Sequence, residues 1–409
     1  MKVLHTSDWH LGRTLYGRRC TNEFQQFLDW LVAEIDRQKV DCLLIAGDIF
    51  DSTTPSNIAQ TQYYSFLYNV SKTCCRHVVI IGGNHDSPSL LNAPRQLLQQ
   101  LNVSIIGSKT NNPADEVIIL YDPDRSPEAI VCAVPYLRDR DVRTSEIYES
   151  IDDKARKLID GIHQHYLEII DIAEQKRRES SIKIPLIAMG HLFAAGGTIA
   201  ENNEVRDLYV GTLAHIPSSF FPDTIDYLAL GHLHIAQKVN SSPTRRYSGS
   251  PLQLSFGSNN SQKSMTAITF SSEIQVETIA VPPFLRLETI SGSASEIIKE
   301  AESLRTEPGP ILLEVQYTGQ RIAMLREELE KKVSGSDIEL IRIINSQAAG
   351  MTLQNDTRSE SLEDLDEFEV FKRCLEAHDV AENEREELEY CFAKILELLA
   401  EESENEEIP

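Results

Sequence analysis

The sequence predicts an α/β fold whose reactive side chains gather at the carboxyl edge of a sheet, followed by a small α+β capping module and C-terminal helices. Three observations predict it. Short apolar runs at 3–6, 42–46, 77–81, 185–189 and 226–230 are bounded by turn residues, as buried strands are. Each run ends in a segment carrying Asp, His or Asn, and open α/β sheets place their sites at that edge. Beyond Val281-Pro282-Pro283, a stiff break, the alternation of strand and helix starts again with no such constellation.

Strand 3–6 leads into Asp8-Trp9-His10 and a loop with Arg13, Tyr16, Arg18 and Arg19. Thr21 suits the N-cap of a helix with Phe24, Phe27, Leu28, Leu31 and Ile35 on one face. Strand 42–46 delivers Gly47-Asp48-Ile49-Phe50-Asp51, and Pro55 opens a second helix rich in Tyr63, Tyr64, Phe66 and Tyr68. Strand 77–81 delivers Gly83-Asn84-His85-Asp86, and Pro88 starts a helix that reaches about residue 101. This β-α-β-α-β opening implies parallel strands with right-handed crossovers. Strands near Ile105, 117–120 and 129–134 follow, then one long helix, 150–182, with Ile159, Ile162, Tyr166, Ile169 and Ile170 on its apolar face. Strand 185–189 delivers Gly190-His191, a Gly/Asn-rich loop spans 195–206, and strand 226–230 delivers Gly231-His232-Leu233-His234. Residues 237–281 read as alternating β segments.

The chain thus divides into a body, 1–281, and a capping module, 282–345, with strands 284–290, 311–317 and 338–344 and helices 295–304 and 321–333. A polar linker, 346–358, leads to two amphipathic helices within 359–400 and an acidic tail, 401–409. The helices carry Leu365, Phe368, Phe371 and Leu375, then Leu388, Phe392, Ile395 and Leu399; they cannot bury these stripes alone and imply a partner surface.

A chain of 409 residues, 41% hydrophobic and 25% charged, is globular in composition and long enough for two or three domains. No apolar run approaches the roughly 20 residues of a membrane span. The early Asp8 leaves no room for a signal peptide, so a cytoplasmic protein with no membrane partner is expected. Seven scattered cysteines without a C-x2-C pair imply free, packed thiols and exclude zinc-ribbon and redox readings. A net charge of −24 argues at first against nucleic acid, yet 20 acids against 5 bases from Asp356 onward account for −15 of it. A body carrying only −9 can hold DNA where divalent cations and Arg clusters supply the positive field. No G-x-x-x-x-G-K-[ST] occurs, so the chain has no Walker-type ATP site of its own.

Oxygen and imidazole donors without thiolates favour Mn²⁺, Fe²⁺ or Zn²⁺. Asp8-x-His10 lets a carboxylate and an imidazole face one ion, Gly47 lets the backbone bend so that Asp48 can bridge two, and His232-x-His234 sends two rings inward. Two ions about 3.5–4 Å apart clamp a phosphoryl group and lower the pKa of a bound water. His85 is one histidine beyond that set; its task is to serve the leaving oxygen, oriented by Asp86 or by a backbone carbonyl. Asp51 is either an orienter of a ligand histidine or a turn former. Arg13, Arg18 and Arg19 are candidates for DNA phosphate contact, or a solvated basic loop. The helix with Tyr63 and Tyr68 is either core or an interface, and His5, His77, His163, His165, His215 and His378 read as structural.

These motifs resemble the calcineurin-like metallophosphoesterase superfamily, whose fold is a β-sheet sandwich flanked by helices. More closely, the runs from Leu4 to Gly12, from Tyr247 to Gly257 and from Phe371 to His378 resemble the SbcD family of bacterial nuclease subunits, over essentially the whole chain. The resemblance implies one ion on Asp8, His10, Asp48 and His234 and a second on Asp48, Asn84, His191 and His232, with Asp48 bridging and His85 catalytic. It further implies Mn²⁺-dependent double-strand 3′→5′ exonuclease, single-strand endonuclease and hairpin-opening activity in DNA repair and recombination. The partners it implies are DNA, a second copy in a homodimer, and an SbcC-type ABC ATPase docked through the C-terminal helices. Two rivals share the motifs: a phosphatase or cyclic-nucleotide phosphodiesterase, and a catalytically silent structural subunit.

Overall fold

Two six-stranded sheets hold the reactive edge, and the inner strands of both owe their near-complete burial to cover on both faces. The computed structural model describes residues 1–143, 150–179, 183–193, 220–256, 262–306, 309–317 and 322–345, with Leu375, Arg385, Leu388, Glu389 and Phe392 beyond. Strand β1 (Lys2–Thr6) is followed by a hairpin, β2 (Thr14–Leu15) and β3 (Arg18–Arg19), and by helix α1 (Thr21–Gln38). Strand β4 (Cys42–Ala46), helix α2 (Asn57–Val70), strand β5 (His77–Ile81), helices α3 (Pro88–Asn92) and α4 (Arg95–Gln99) and strand β6 (Val103–Ile106) complete the first half. Next come β7 (Val117–Tyr121), β8 (Pro127–Ala133), α5 (Asp139–Val142), α6 (Ile151–Glu179), β9 (Leu186–His191) and β10 (Tyr227–Gly231). The short β11 (Gln237–Lys238) and β12 (Arg245–Tyr247) precede the hairpin of β13 (Ser264–Phe270) and β14 (Ile274–Ala280).

The first sheet has the order β14-β13-β1-β4-β5-β6, with β1, β4, β5 and β6 parallel; the second has the order β11-β12-β10-β9-β8-β7, with β8, β9, β10 and β12 parallel. Side chains alternate between the faces. Val3, Leu44 and Val79 meet Val131, Ile187 and Ala229 in one core, which is the filling of a sandwich. Leu4, Leu43 and Ile80 face the other way, under Phe24, Phe27 and Leu31 of α1 and Tyr63 of α2. Leu186, Ala188 and Leu228 lie under Ile162, Tyr166 and Ile169 of α6. The strands therefore read as continuous apolar runs rather than alternating ones. Each buried aliphatic side chain contributes roughly 1.5–3 kcal/mol, and the layers hold the carboxyl ends of five strands on one rim.

The sequence reading needs three local corrections. Thr21 is the first helical residue of α1, and Cys20 holds the cap position without a side-chain bond. Pro55 stands outside α2, whose cap is Ser56, its hydroxyl accepting the Ala59 N–H at 3.3 Å. The helix expected from Pro88 to about residue 101 breaks in two, because Pro94 has no N–H to give and its ring clashes with the preceding turn. The long charged helix is described over Ile151–Glu179.

Beyond Pro283 a three-stranded sheet follows the order β15 (Arg286–Gly292), β16 (Ile311–Tyr317) and β17 (Ile338–Asn345), with helices α7 (Ala294–Leu304) and α8 (Ile322–Val333). The chain divides into two compact units, and the division cuts across these strands. Met1–Thr289, Ala301–Glu314 and Lys332–Arg342 form one unit; Ile290–Glu300, Val315–Lys331 and Ile343–Pro409 form the other. The loop 195–206, the linker 346–358, the acidic tail and, apart from the five positions above, the helices within 359–400 lie outside the described residues.

Candidate metal centre

The loop after β1 runs beside the loop after β4 and extends their parallel pairing past the strands. The N–H groups of Asp8, His10 and Leu11 donate to the carbonyls of Gly47, Asp48 and Ile49 at 3.0, 3.0 and 2.8 Å. This sets Asp8, His10 and Asp48 side by side. Trp9, between two of them, points the opposite way and is buried edge-on against Phe27 and Phe66, at 5.8 and 5.1 Å. The turn is strained: Asp8, His10 and Asp48 have φ of 53°, 52° and 50°, and His232 has 98°. Left-handed backbone costs a non-glycine residue roughly 1–2 kcal/mol, and such strain persists where surroundings over-determine it. Asp86 supplies part of that constraint. Fully buried, it accepts N–H groups from Gly83, Phe50 and Ile49 at 2.8, 3.0 and 3.2 Å and so locks the loops after β4 and β5 together. Gly47 (φ 87°) is required twice over, since a Cβ there would stand 2.3 Å from His191 Nδ1.

Seven candidate ligands and His85 converge above this frame. Asp8, His10 and His234 form one cluster, Asp48, His191 and His232 another, and His10, Asp48 and His85 link them, with the ligand atoms of each cluster within 4.8 Å of one another. His10 Nε2 lies 3.2 Å from His234 Nε2 and 3.7 Å from Asp48 Oδ2. His191 Nε2 lies 3.1 Å from Asp48 Oδ2 and 3.0 Å from Asn84 Oδ1, which is 3.1 Å from His232 Nδ1. Donors set at about 2.1 Å from one ion and at right angles stand about 3.0 Å apart. On the far side of the rings, His191 Nδ1–H donates to Ala46 O at 2.9 Å, and His10 Nδ1 lies 3.2 Å from Asp51 Oδ1, an ion-pair contact rather than an aligned hydrogen bond. Both rings thus turn Nε2 toward the cluster, the side from which metal-ligating histidines bind. The donor set fits divalent metal ions.

Residues 1–236 match the calcineurin-like phosphoesterase family, and residues 283–379 match the type 5 capsule protein repressor C-terminal domain. The SbcD subunit of nuclease SbcCD from Escherichia coli K12 is 32% identical over 409 residues, 99% of this chain and 100% of that protein. The chain belongs to the SbcD family of calcineurin-like phosphoesterases. The corresponding SbcCD nuclease subunit of Rhodobacter capsulatus is 34% identical over 298 residues (70% of this chain, 71% of that one), and that of Bacillus subtilis 32% over 269 (66% of each). A dimetal phosphatase from Danio rerio shares 12% identity at a TM-score of 0.40, covering 69% of this chain and 96% of its own; so distant a likeness decides nothing.

Charge in this SbcD-family centre is arranged for cations. Burial works against a charged ring at His191, but Asp48 beside it prevails and holds its pKa at about 9. Burial also opposes ionisation of Asp48; the rings of His191, His10 and His85 outweigh it and keep this carboxyl well below the usual range. Burial, reinforced by His191, pushes His232 down to about 3, and burial lowers His10 as well, so these two rings are neutral at pH 7. Burial and the nearby Asp48 push Asp86 up to about 6.

The remaining expected residues fall into place unevenly. His85 Nδ1–H donates to Asp51 O at 3.0 Å, so a backbone carbonyl, not Asp86, orients this ring, and the main-chain N–H of His85 donates to Asp48 Oδ1 at 2.9 Å. Asp51 contacts both His10 and Arg13. Arg18 sits between Glu23 and Glu339 at 2.6 and 2.7 Å, whereas Arg19 is exposed. Outside the centre His5 meets Tyr227 Oη, His77 meets Tyr121 O, His163 lies on Phe220 and His165 pairs with Glu116; His215 and His378 are outside the described residues.

Sequence reasoning missed three contributors. Ser7 donates to Asp8 Oδ2 at 2.5 Å, and Lys263 Nζ to His234 O at 3.2 Å. Tyr136 follows β8, its N–H on Gly82 O at 2.8 Å and its ring 6.2 Å from the ring of His191. The available signal was its place after a strand that ends on the same rim.

Proposed function

We propose that this chain is the nuclease subunit of a complex with an SbcC-type ABC ATPase, hydrolysing DNA phosphodiesters with two divalent ions, Mn²⁺ in the cell. The observation that carries the reading is the convergence of seven oxygen and imidazole donors on one rim, in a chain collinear from end to end with the SbcD subunit of a nuclease. Bound there, two such ions supply Lewis acidity toward phosphate and water. Asp8, His10, Asp48 and His234 would hold one, and Asp48, Asn84, His191 and His232 the other, with Asp48 shared. His85 keeps Nδ1 on Asp51 O, which leaves Nε2 to carry a proton to the leaving oxygen. Asp86 keeps Asp48 and Asn84 at fixed spacing by tying their loops.

The finer reading follows from the resemblance of the motifs to the SbcD family. The activity is double-strand 3′→5′ exonuclease and single-strand endonuclease, including hairpin opening, in the cytoplasm. Residues 1–281 form the nuclease domain, 282–345 a DNA-facing cap, 346–358 a linker, 359–400 the ATPase-docking helices and 401–409 an acidic tail. Exposed Ile58 and Tyr68 on α2 and Leu97 on α4 support a homodimer surface. Among the described residues no helix is long and apolar enough to cross a membrane.

The test is cleavage of an end-labelled hairpin and a blunt duplex with Mn²⁺ and the ATPase partner, wild type against His85→Ala. The mutant should retain its metal and lose about 10²–10⁴-fold in rate. A wild type that leaves both DNAs intact while hydrolysing a simple phosphodiester would sink the nuclease reading.

A further inference from the structure

Arg13 sits one turn after His10, its N–H donating to His10 O at 3.0 Å. Its guanidinium donates from Nη1 to Asp51 Oδ1 and from Nε to Leu254 O, each at 3.1 Å. The same Asp51 oxygen lies 3.2 Å from His10 Nδ1, and the main-chain oxygen of Asp51 accepts from His85. One guanidinium therefore steadies the residue that flanks one ring and holds the other, a ligand candidate and the catalytic candidate, whose centroids are 4.9 Å apart.

Arg13 also opens the β2–β3 hairpin. The turn residues Tyr16 and Gly17 have φ of 49° and 87°, positive at both positions as a type I′ turn requires. Asn or Gly is the usual first residue of such a turn, and a Tyr there is strained. Two contacts hold its ring: Phe256 packs against it at 5.7 Å, tilted by 38°, and the guanidinium carbon of Arg342 lies 3.9 Å over it. Arg342 is paired with Glu314, and Arg18, beyond the turn, reaches Glu339. Glu339 and Arg342 lie on the part of β17 that belongs to the same compact unit as the hairpin. The hairpin is thus clamped to β17 at its tip and to Asp51 at its root.

We propose that Arg13 is a positioning residue for His10 and His85, acting through Asp51, and that the Tyr16 and Arg18 clamp on β17 holds the hairpin where Arg13 can do so. The proposal rests on the nuclease reading for the roles of those two rings. It assigns Arg13 inward, to the centre, rather than to a DNA phosphate.

The test compares full-length wild type, Arg13→Gln, Arg13→Lys, Tyr16→Ala and Arg342→Gln. It reads Mn²⁺ affinity by calorimetry, and kcat and KM on bis(p-nitrophenyl) phosphate and on blunt duplex DNA. In Arg13→Gln, one of two Mn²⁺ should bind about 10–100-fold more weakly. Its kcat should fall by a similar factor on both substrates while KM for DNA stays within about twofold. Arg13→Lys should recover part of the loss, since an ammonium keeps the charge but not the fork. Tyr16→Ala and Arg342→Gln should show a smaller loss of the same kind. A raised KM for DNA with unchanged kcat on the small diester overturns the proposal in favour of a phosphate contact. A lowered Tm with unchanged metal affinity and kcat overturns it in favour of a purely structural role. Failure of the nuclease reading looks different: the wild type turns over the small diester but not DNA, and the Arg13 comparison proceeds on the small diester.

Discussion

His191 and His10 are both buried imidazoles that turn Nε2 inward, yet they are held by different means. The far nitrogen of His191 is bonded to main chain, the carbonyl of Ala46 at the end of β4, and Gly47 closes against the ring. The far nitrogen of His10 meets a side chain, Asp51, itself held by Arg13 near the surface. A main-chain partner inside a sheet cannot move without moving the sheet. A carboxylate partly open to solvent can be displaced. The Asp48–His191–His232 half is therefore the rigid one, and the Asp8–His10–His234 half is the one that surface contacts can tune.

Asp48, which we propose bridges the two ions, should matter most. In Asp48→Asn both ions should be lost by elemental analysis, with turnover down at least about 10³-fold. A variant that keeps two ions would show that Asp48 does not bridge. Gly47→Ala attacks the rigid half first, through a methyl group driven into His191 at a left-handed φ. Metal content should drop from two ions to one, with the remaining ion bound as tightly as before; loss of both would erase the distinction between the halves. Asp51→Asn attacks the tunable half, and should weaken one ion by about 10–100-fold without abolishing it.

A smaller effect separates the halves by proton count. His191 holds a proton up to about pH 9, so below that pH a cation must displace it, whereas His10 is lowered and gives none. Calorimetry in buffers of different ionisation heat should register about one proton released per chain at pH 7.5. Apparent affinity for the His191 ion should fall by up to about tenfold per pH unit as the medium is acidified below 9. Release of no proton would contradict this. The smallest test lies outside the centre. His5, driven to about 3 by burial and then by Arg246, is neutral in the fold but protonates near 6.5 when unfolded. Stability should thus decline as pH falls below 6.5, by at most about 1.4 kcal/mol per pH unit. Denaturant titrations of metal-loaded protein at pH 7 and pH 5.5 should show a shallower decline for His5→Gln than for wild type.

Much of this was legible in the chain. Buried strands are continuous apolar runs, so 42–46 and 77–81 could be recognised without a neighbour, and the Asp, His and Asn after each run announced a shared rim. Short helices were read less well, because Pro94 acts on the turn before it and a hydrophobic pattern hides that effect.

The sequence by itself determined the strands, their reactive ends and the donor types, because these depend on local periodicity and on side-chain chemistry. Only the tertiary structure decided that Asp51 O orients His85, that Asp86 serves backbone rather than a ring, that Tyr136 borders the centre, and that Arg13 faces inward. The physical reason is that each of these is a contact between loops far apart in sequence. Which nitrogen of a histidine is free, and which way an arginine turns, depend on partners that only the packed sheets bring within 3 Å or so of them.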